Sequence, residues 1–165
     1  MAIRNCTVGS PANWRSVVAY HRAGWIRGHV LFKLNLSDDL LWGLPPSAEA
    51  IEVYLGLVPE DLPHSWMTYT YGPSVWAQCE VAIERGGHVR VGIGDNPVEA
   101  DGSIATNVEH VQRAVALARR MGREVASPTE ALAILGARSL PDRASHRSAR
   151  WAFNPSLARG DARQP

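Results

Sequence analysis

The stretch Gly86 to Asn96 reads GGHVRVGIGDN, and it decides the fold because an alternating strand runs into a polar end. Alternate side chains of a strand point to opposite faces. Val89, Val91 and Ile93 therefore share an apolar face that suits packing under helices. Arg90 lies on the other face between glycines, which leave room for a close approach to the backbone. A buried arginine needs a carboxylate or an anionic ligand, so the stretch predicts a site.

Length, charge and cysteine content limit the class of protein. The chain has 165 residues and a net charge of +1, which suits one domain and gives no general attraction to nucleic acid or anionic membranes. The first residues do not resemble a secretory signal, and no apolar run approaches a membrane span. Cys6 and Cys79 lie far apart without a CxxC pair, which favours a reducing compartment. We therefore expect a cytoplasmic protein with no nucleic-acid or membrane partner.

Strand and helix patterns alternate along the chain. Besides the opening stretch, alternating or β-rich segments predict strands over residues 4–8, 30–36 and 66–71. Helices are predicted between and after these strands, over residues 11–23, 48–55, 75–85, 106–121 and 127–135. Serine, threonine and proline at the helix starts, with two capping boxes, support these boundaries. Four consecutive strand–helix units predict parallel strands with right-handed crossovers.

Polar side chains on one face of the strands favour a barrel lumen over a sheet covered on both faces; we place there Lys33, Asn35, Thr68, Thr70 and Arg90. A complete (β/α)8 barrel needs about 250 residues. Four units correspond to half of that. The predicted fold is therefore α/β, with parallel (β/α) units that form about half of a TIM-type (β/α)8 barrel.

The carboxyl ends of barrel strands carry the chemistry of this architecture. That rule selects Asp95 and Asn96, with Arg90 below them in the lumen, and also the strand ends at residues 35–39 and 70–74. Arg90 and Asp95 are predicted to pair, which would lower the pKa of the carboxyl group. Such a pair can bind a substrate carboxylate or relay a proton. The alternative is a structural ion pair that closes the end of the barrel.

Other motifs are weaker. Residues 92–97 match only part of a GxGxxG loop, and no helix follows directly. The histidines show no metal-ligand spacing, and we expect His110 at the surface. Val108, Val111 and Val115 recur at helical spacing, which we interpret as core packing.

Residues 86–96 resemble the last-strand signature of the β-keto acid cleavage enzyme family (3-keto-5-aminohexanoate cleavage enzyme-like). The resemblance continues through Thr106-Asn107 and through residues 122–131, which read GREVASPTEA, to Leu135-Gly136. Upstream it is looser, through Leu62-Pro63, Trp66 and Ala82-Ile83. It covers residues 4–136 and is most specific over residues 86–136.

The resemblance implies a zinc-dependent (β/α)8 barrel that converts a β-keto acid and acetyl-CoA to acetoacetate and a new acyl-CoA. Arg90 and Asp95 match the family's catalytic arginine and aspartate. Asn96 matches the asparagine that ends the family's Arg-Val-Gly-x-Glu-Asp-Asn signature, and we expect it to bind substrate. The family's glutamate ligand to zinc falls at Gly94, which has no side-chain ligand. The family's HxH ligand pair has no counterpart in this chain. We therefore expect no catalytic zinc on this chain alone, since a catalytic zinc ion usually needs three protein ligands.

The resemblance also divides the chain. Residues 1–137 correspond to the C-terminal half of the barrel, equivalent to strands five to eight, and residues 138–165 are predicted to be a flexible Arg-rich tail. One hypothesis is a truncated cleavage enzyme that is inactive alone. The alternative is a non-catalytic half barrel that forms a homo-oligomer or pairs with a separately encoded N-terminal half, because open strand edges favour pairing.

Overall fold

The structure, a computed structural model, describes residues 4–8, 10–41 and 43–136. Four strands and five helices alternate there, as the sequence predicted. The strands are β1 (Arg4–Val8), β2 (Val30–Ser37), β3 (His64–Tyr71) and β4 (His88–Val89). The helices are α1 (Pro11–Arg22), α2 (Ala48–Leu55), α3 (Val75–Glu84), α4 (Asn107–Arg120) and α5 (Pro128–Ile134).

The four strands form one parallel sheet in the order β1-β2-β3-β4. Because this order never reverses, right-handed crossovers place every connecting helix on the same face of the sheet. The main core lies on that face, where Phe32 and Leu34 of β2 pack with Trp14 of α1 and Ile51 of α2. Parallel strands with alternating helices confirm the predicted α/β class.

Phe32 is the centre of the core. It is fully buried, and its ring stacks on Trp14 with the ring centroids 4.2 Å apart. Burial of a side chain of this size contributes about 1.5–3 kcal/mol.

The sheet has one face that packs against the helices and an opposite face, the uncovered face. Strand register corrects which polar residues lie on the uncovered face. Lys33 and Asn35 of β2 lie opposite Met67 and Tyr69 of β3. Laterally paired residues of a parallel sheet point to the same face, so Met67 and Tyr69 share the uncovered face with Lys33 and Asn35.

Thr68 and Thr70 lie opposite Leu34 and Leu36, on the face that the helices cover. Their predicted position in a lumen is therefore wrong. The threonines were grouped by their polarity, whereas register depends on how the two strands align.

The prediction of a long strand through residues 86–96 is wrong beyond Val89. Only His88 and Val89 pair with β3, and the N–H of Arg90 adds one hydrogen bond to the carbonyl of Thr68 at 3.0 Å. The chain then turns, because the carbonyl of Gly92 accepts the N–H groups of two later residues, Asp95 and Asn96, at 3.0 Å each.

The apolar face of this stretch is consequently shorter than expected. Val89 and Val91 pack against the cluster between α3 and α4, as predicted. Ile93 is 45% exposed, because the turn carries it away from the sheet.

Helix α4 begins as predicted but faces differently. Thr106 and Glu109 form the capping box. Val108 and Val111, predicted as core, are 63% and 55% exposed, whereas His110, expected at the surface, is buried.

The inward face of α4 is the stripe of His110 and Leu117, which are seven residues and therefore two turns apart. Valine spacing alone indicates a helical face, but it does not say whether that face meets the core.

The Arg-rich tail, residues 138–165, lies outside the described residues, so its flexibility stays a prediction. Among the residues described, no helix has the length and hydrophobicity that a membrane crossing requires.

Candidate functional site at the carboxyl ends of the strands

The predicted pair of Arg90 and Asp95 forms in the structure. Arg90 Nη2 donates a hydrogen bond to Asp95 Oδ1 over 2.7 Å. The aspartate side chain is 4% exposed and the arginine side chain 42% exposed. The carboxylate is therefore enclosed, while part of the guanidinium stays accessible at the end of the sheet.

The prediction that Arg90 lowers the pKa of Asp95 is wrong for the net effect. Burial of the carboxyl group raises its pKa, and this outweighs the lowering by the charge and hydrogen bond of Arg90 and by the charge of Lys33. Desolvation disfavours the charged form of an acid. A carboxyl group with a raised pKa is better suited to accept and return a proton near neutral pH than an ordinary aspartate.

Tyr69 supports the arginine, and sequence reasoning did not select it. The guanidinium carbon of Arg90 lies 4.5 Å from the centre of the Tyr69 ring, a cation–π contact. Tyr69 is buried, and burial is also the main reason that its pKa is raised. Parity counted within β3 could have placed Tyr69 on the uncovered face, but only the pairing with Asn35 of β2 shows it.

The turn that carries Asp95 is fixed from several sides. Gly92 has φ +154°, and a Cβ at this position would approach Asn107 Oδ1 to 3.0 Å. That oxygen accepts the N–H of Ile93 at 3.0 Å. The N–H of Gly72, at the end of β3, donates to the carbonyl of Asp95 at 3.4 Å.

Asn96, predicted to contact substrate, is buried beside the same turn. In the amide orientation that satisfies its neighbours, Nδ2 donates to the carbonyls of Gly72 at 3.2 Å and Val98 at 2.9 Å. These hydrogen bonds join the loop after β4 to the end of β3. A substrate contact by Asn96 stays a prediction.

The other predicted strand ends meet through a second set of contacts. Ser74 donates to both carboxylate oxygens of Asp38, from Oγ at 2.6 Å and from its N–H at 3.0 Å. The carboxylate of Asp38 occupies the space beside Gly72, where any Cβ would overlap it. The ends of β2 and β3 are thus linked, and Gly72 connects both to the turn with Asp95.

Asn35 lies on the same face as Tyr69 and is fully buried, because the loop after β2 comes close to it: a Cβ at Gly43 would lie 3.4 Å from Asn35 Oδ1. Asn35 offsets part of the rise that burial causes in the pKa of Tyr69. Within the described residues, neither its Oδ1 nor its Nδ2 has a partner of good hydrogen-bond geometry.

Metal-binding side chains do not gather around this turn. In the described ranges, no group of three or more His, Cys, Asp or Glu side chains is placed to hold a metal ion. Gly94 offers no side chain, and a Cβ there would meet nothing within 4 Å. The described residues by themselves therefore do not form the three-ligand set that a catalytic zinc ion usually needs.

Fold and site together define an α/β protein with a partly buried Arg–Asp ion pair at the carboxyl ends of parallel strands. Comparison with known proteins assigns the chain to a family. The profile of the beta-keto acid cleavage enzyme family matches residues 5–137, so the chain belongs to this family. The predicted resemblance to this family is thereby confirmed.

Curated relatives agree with the family. The chain is 36% identical over 121 residues to the 3-keto-5-aminohexanoate cleavage enzyme of Fusobacterium nucleatum. The matched stretch covers 72% of this chain and 42% of the relative. It is 35% identical over 113 residues to the enzyme of the same name from Acetoanaerobium sticklandii, covering 67% and 41%. The 3-dehydrocarnitine:acetyl-CoA trimethylamine transferase of Rhizobium meliloti is 30% identical over 109 residues, covering 65% and 34%. The matched stretch thus spans about two fifths or less of each relative's length.

Proposed function

We propose that this chain supplies the proton-handling part of a β-keto acid cleavage site that uses acetyl-CoA. In the overall reaction, the acyl group of the β-keto acid passes to CoA and the acetyl group of acetyl-CoA joins the remaining acetate unit. The products are a new acyl-CoA and acetoacetate. The family membership and the relatives' names support this substrate class.

The buried carboxylate of Asp95, held by Arg90 at 2.7 Å, is the observation that carries the proposal. Asp95 is the group that takes up and returns a proton. The guanidinium of Arg90 is partly accessible, and its outward N–H donors bind the carboxylate of the keto acid. Tyr69 holds the guanidinium plane in place from below.

Binding of acetoacetate, itself a β-keto acid, tests the role of Arg90. We expect Arg90→Met to weaken binding by about 10–100-fold, since a charged hydrogen bond contributes about 1.5–3 kcal/mol. Arg120→Met is the matched control, because Arg120 pairs with Glu80 on the exposed side of the helices. Equal affinities for the wild type and Arg90→Met in an NMR titration would contradict the proposal.

Zinc enters the proposal only as a group that this chain does not hold by itself. When bound in the family, zinc polarises the keto acid as a Lewis acid. The described residues offer no ligand set for it, so Arg90 and Asp95 alone are not expected to complete the reaction. We expect no acetoacetate above background from the purified chain with zinc, acetyl-CoA and a β-keto acid. Acetoacetate formation above that level would contradict this expectation.

Direct zinc binding is a separate measurement. We expect the chain to leave zinc on a competing chromophoric chelator. Gly94→Glu restores a carboxylate at an uncrowded position, yet it adds only one ligand. Stoichiometric uptake of zinc by the wild type would show that a ligand set exists.

The fold supports a second proposal, that the described residues form half of a (β/α)8 barrel and close by pairing. Within the described sheet, β1 and β4 each pair on one side only. Within the described residues, the core helices pack on the opposite face of the sheet from Lys33, Asn35 and Tyr69. Two such sheets would supply the eight strands of a closed barrel.

Light scattering tests this pairing. We expect the mass of two copies, and a shift of that mass when the N-terminal barrel half of a relative is added. A folded monomer that ignores the added half would contradict the proposal and would favour the chain acting by itself.

A further inference from the structure

The loop between β4 and α4 contains Glu99, an acidic residue that points inward. Its side chain is 12% exposed. Glu99 Oε2 accepts hydrogen bonds from Trp76 Nε1 at 2.8 Å and from Arg113 Nη1 at 3.0 Å. The loop after β4 is therefore tied to α3 through Trp76 and to α4 through Arg113.

Aromatic stacking strengthens this attachment. The rings of Trp76 and His110 stack with centroids 5.5 Å apart, and Arg113 lies 4.2 Å above the Trp76 ring. His110 is buried, and within the described residues neither ring nitrogen has a hydrogen-bond partner. Its Nε2 lies 3.8 Å from Glu99 Oε1, so this nitrogen faces the Glu99 carboxylate.

Glu99 is connected to the site through the backbone next to it. Val98, its neighbour, accepts a hydrogen bond from Asn96 Nδ2 at 2.9 Å. The N–H of Glu99 donates to Ser103 at 2.8 Å, and residues 98 and 104 form an antiparallel bridge. The loop is thus a short hairpin closed by this single bridge, and Val98 and Glu99 lie on its first side.

We propose that Glu99 is a positioning residue, which fixes this hairpin so that Asn96 and Val98 hold the turn with Asp95 in its buried place. The functional reason for keeping Asp95 in this position rests on the proposed function. The contacts of Glu99 do not depend on that function.

A second ion pair between the same helices provides a matched comparison. Glu80 of α3 pairs with Arg120 of α4 at 3.0 Å, with side chains 53% and 65% exposed. Among the described residues, no side-chain hydrogen bond or ion pair joins Glu80 or Arg120 to the hairpin or the turn. A general loss of α3–α4 attachment would affect both pairs, whereas loss of positioning would follow Glu99 alone.

The experiment is a pH titration of the Asp95 carboxyl carbon by NMR in the wild type, Glu99→Gln and Glu80→Gln. Burial is the largest influence on this group. We therefore expect Glu99→Gln to lower the pKa of Asp95 toward its ordinary value. Glu80→Gln is expected to leave it unchanged.

Trp76→Phe is the second variant, because it removes one hydrogen bond to Glu99 while keeping an aromatic ring. We expect it to move the pKa of Asp95 in the same direction as Glu99→Gln, and it serves if Glu99→Gln does not fold. An unchanged pKa in Glu99→Gln and Trp76→Phe, or an equal shift in Glu80→Gln, would overturn the inference. Failure of acetoacetate binding would count against the proposed function and would leave this titration intact.

Discussion

The centre of the sheet and its β4 edge differ in how far their strands pair. Strand β2 has eight residues, all buried except the partly buried Lys33, and it pairs with β3 along its whole length. Strand β4 pairs over two residues and then leaves the sheet in a turn. The longest strand pairing lies in the centre of the sheet, whereas the candidate site lies where strand pairing stops at β4. Sites placed on the less stable parts of a fold can adjust without unfolding the core.

Replacing one aromatic side chain in the centre should have the largest effect. We expect Phe32→Ala to lower the free energy of unfolding by about 3–5 kcal/mol, because it empties the fully buried space against Trp14. Val89→Ala on β4 should cost on the order of 1 kcal/mol. Urea denaturation measures both. Equal losses would show that the edge is as important for stability as the centre.

Substitution of Gly87, which directly precedes β4, should have the second largest effect on stability. A Cβ on Gly87 would overlap the ring of Trp66, a buried residue of β3. We expect Gly87→Ala to destabilise the protein by about 1–3 kcal/mol through overpacking.

The control for this substitution is Gly94→Ala, because a Cβ at Gly94 meets no atom within 4 Å. It should change the free energy of unfolding by less than about 0.5 kcal/mol. If thermal unfolding ranked the two variants in the opposite order, the close contact at Gly87 would not limit the packing.

The same contrast explains what the sequence could predict. In the centre, local signals agree: β2 alternates with period two, Ser47 caps α2, and both the strand and the helix are where they were expected. A strand or helix can be predicted from sequence when its residue pattern and its capping residues indicate the same element. At the edge, the alternation of residues 88–93 favoured a long strand, but the Gly92 carbonyl closes a turn instead.

The pairing of Arg90 with Asp95 was predicted, but the electrostatics of the pair and its contact with Tyr69 were not. Arg90 and Asp95 lie five residues apart, so their pairing followed from local spacing. The raised pKa of Asp95 depends on burial by the whole loop, and Tyr69 is placed by register with another strand. Neither is a local property. The inward face of α4 likewise depends on which elements pack against it.

The turn itself should yield a smaller effect than either packing change. Asn107→Ala removes the oxygen that accepts the N–H of Ile93. Water can replace it at this exposed position, so we expect a loss of about 0.5–1.5 kcal/mol and faster amide exchange at Ile93. Asn107→Asp keeps an oxygen in place and should retain the protection. Unchanged exchange in the alanine variant would show that the glycine turn holds its shape without α4.

The smallest effect should be the pH dependence that Asp95 contributes. Because burial raises its folded pKa above 3.8, the folded protein holds this proton more tightly than the unfolded chain does. The contribution to stability is therefore fully present below the ordinary value and is lost as the pH rises through the folded pKa. Asp95→Asn cannot titrate, so the difference in unfolding free energy, wild type minus variant, should fall with rising pH and then level off. Denaturation at a series of pH values measures this difference. If it rose with pH instead, the ion pair with Arg90 would outweigh burial, and Asp95 would be held as a permanent carboxylate rather than as a group that exchanges a proton.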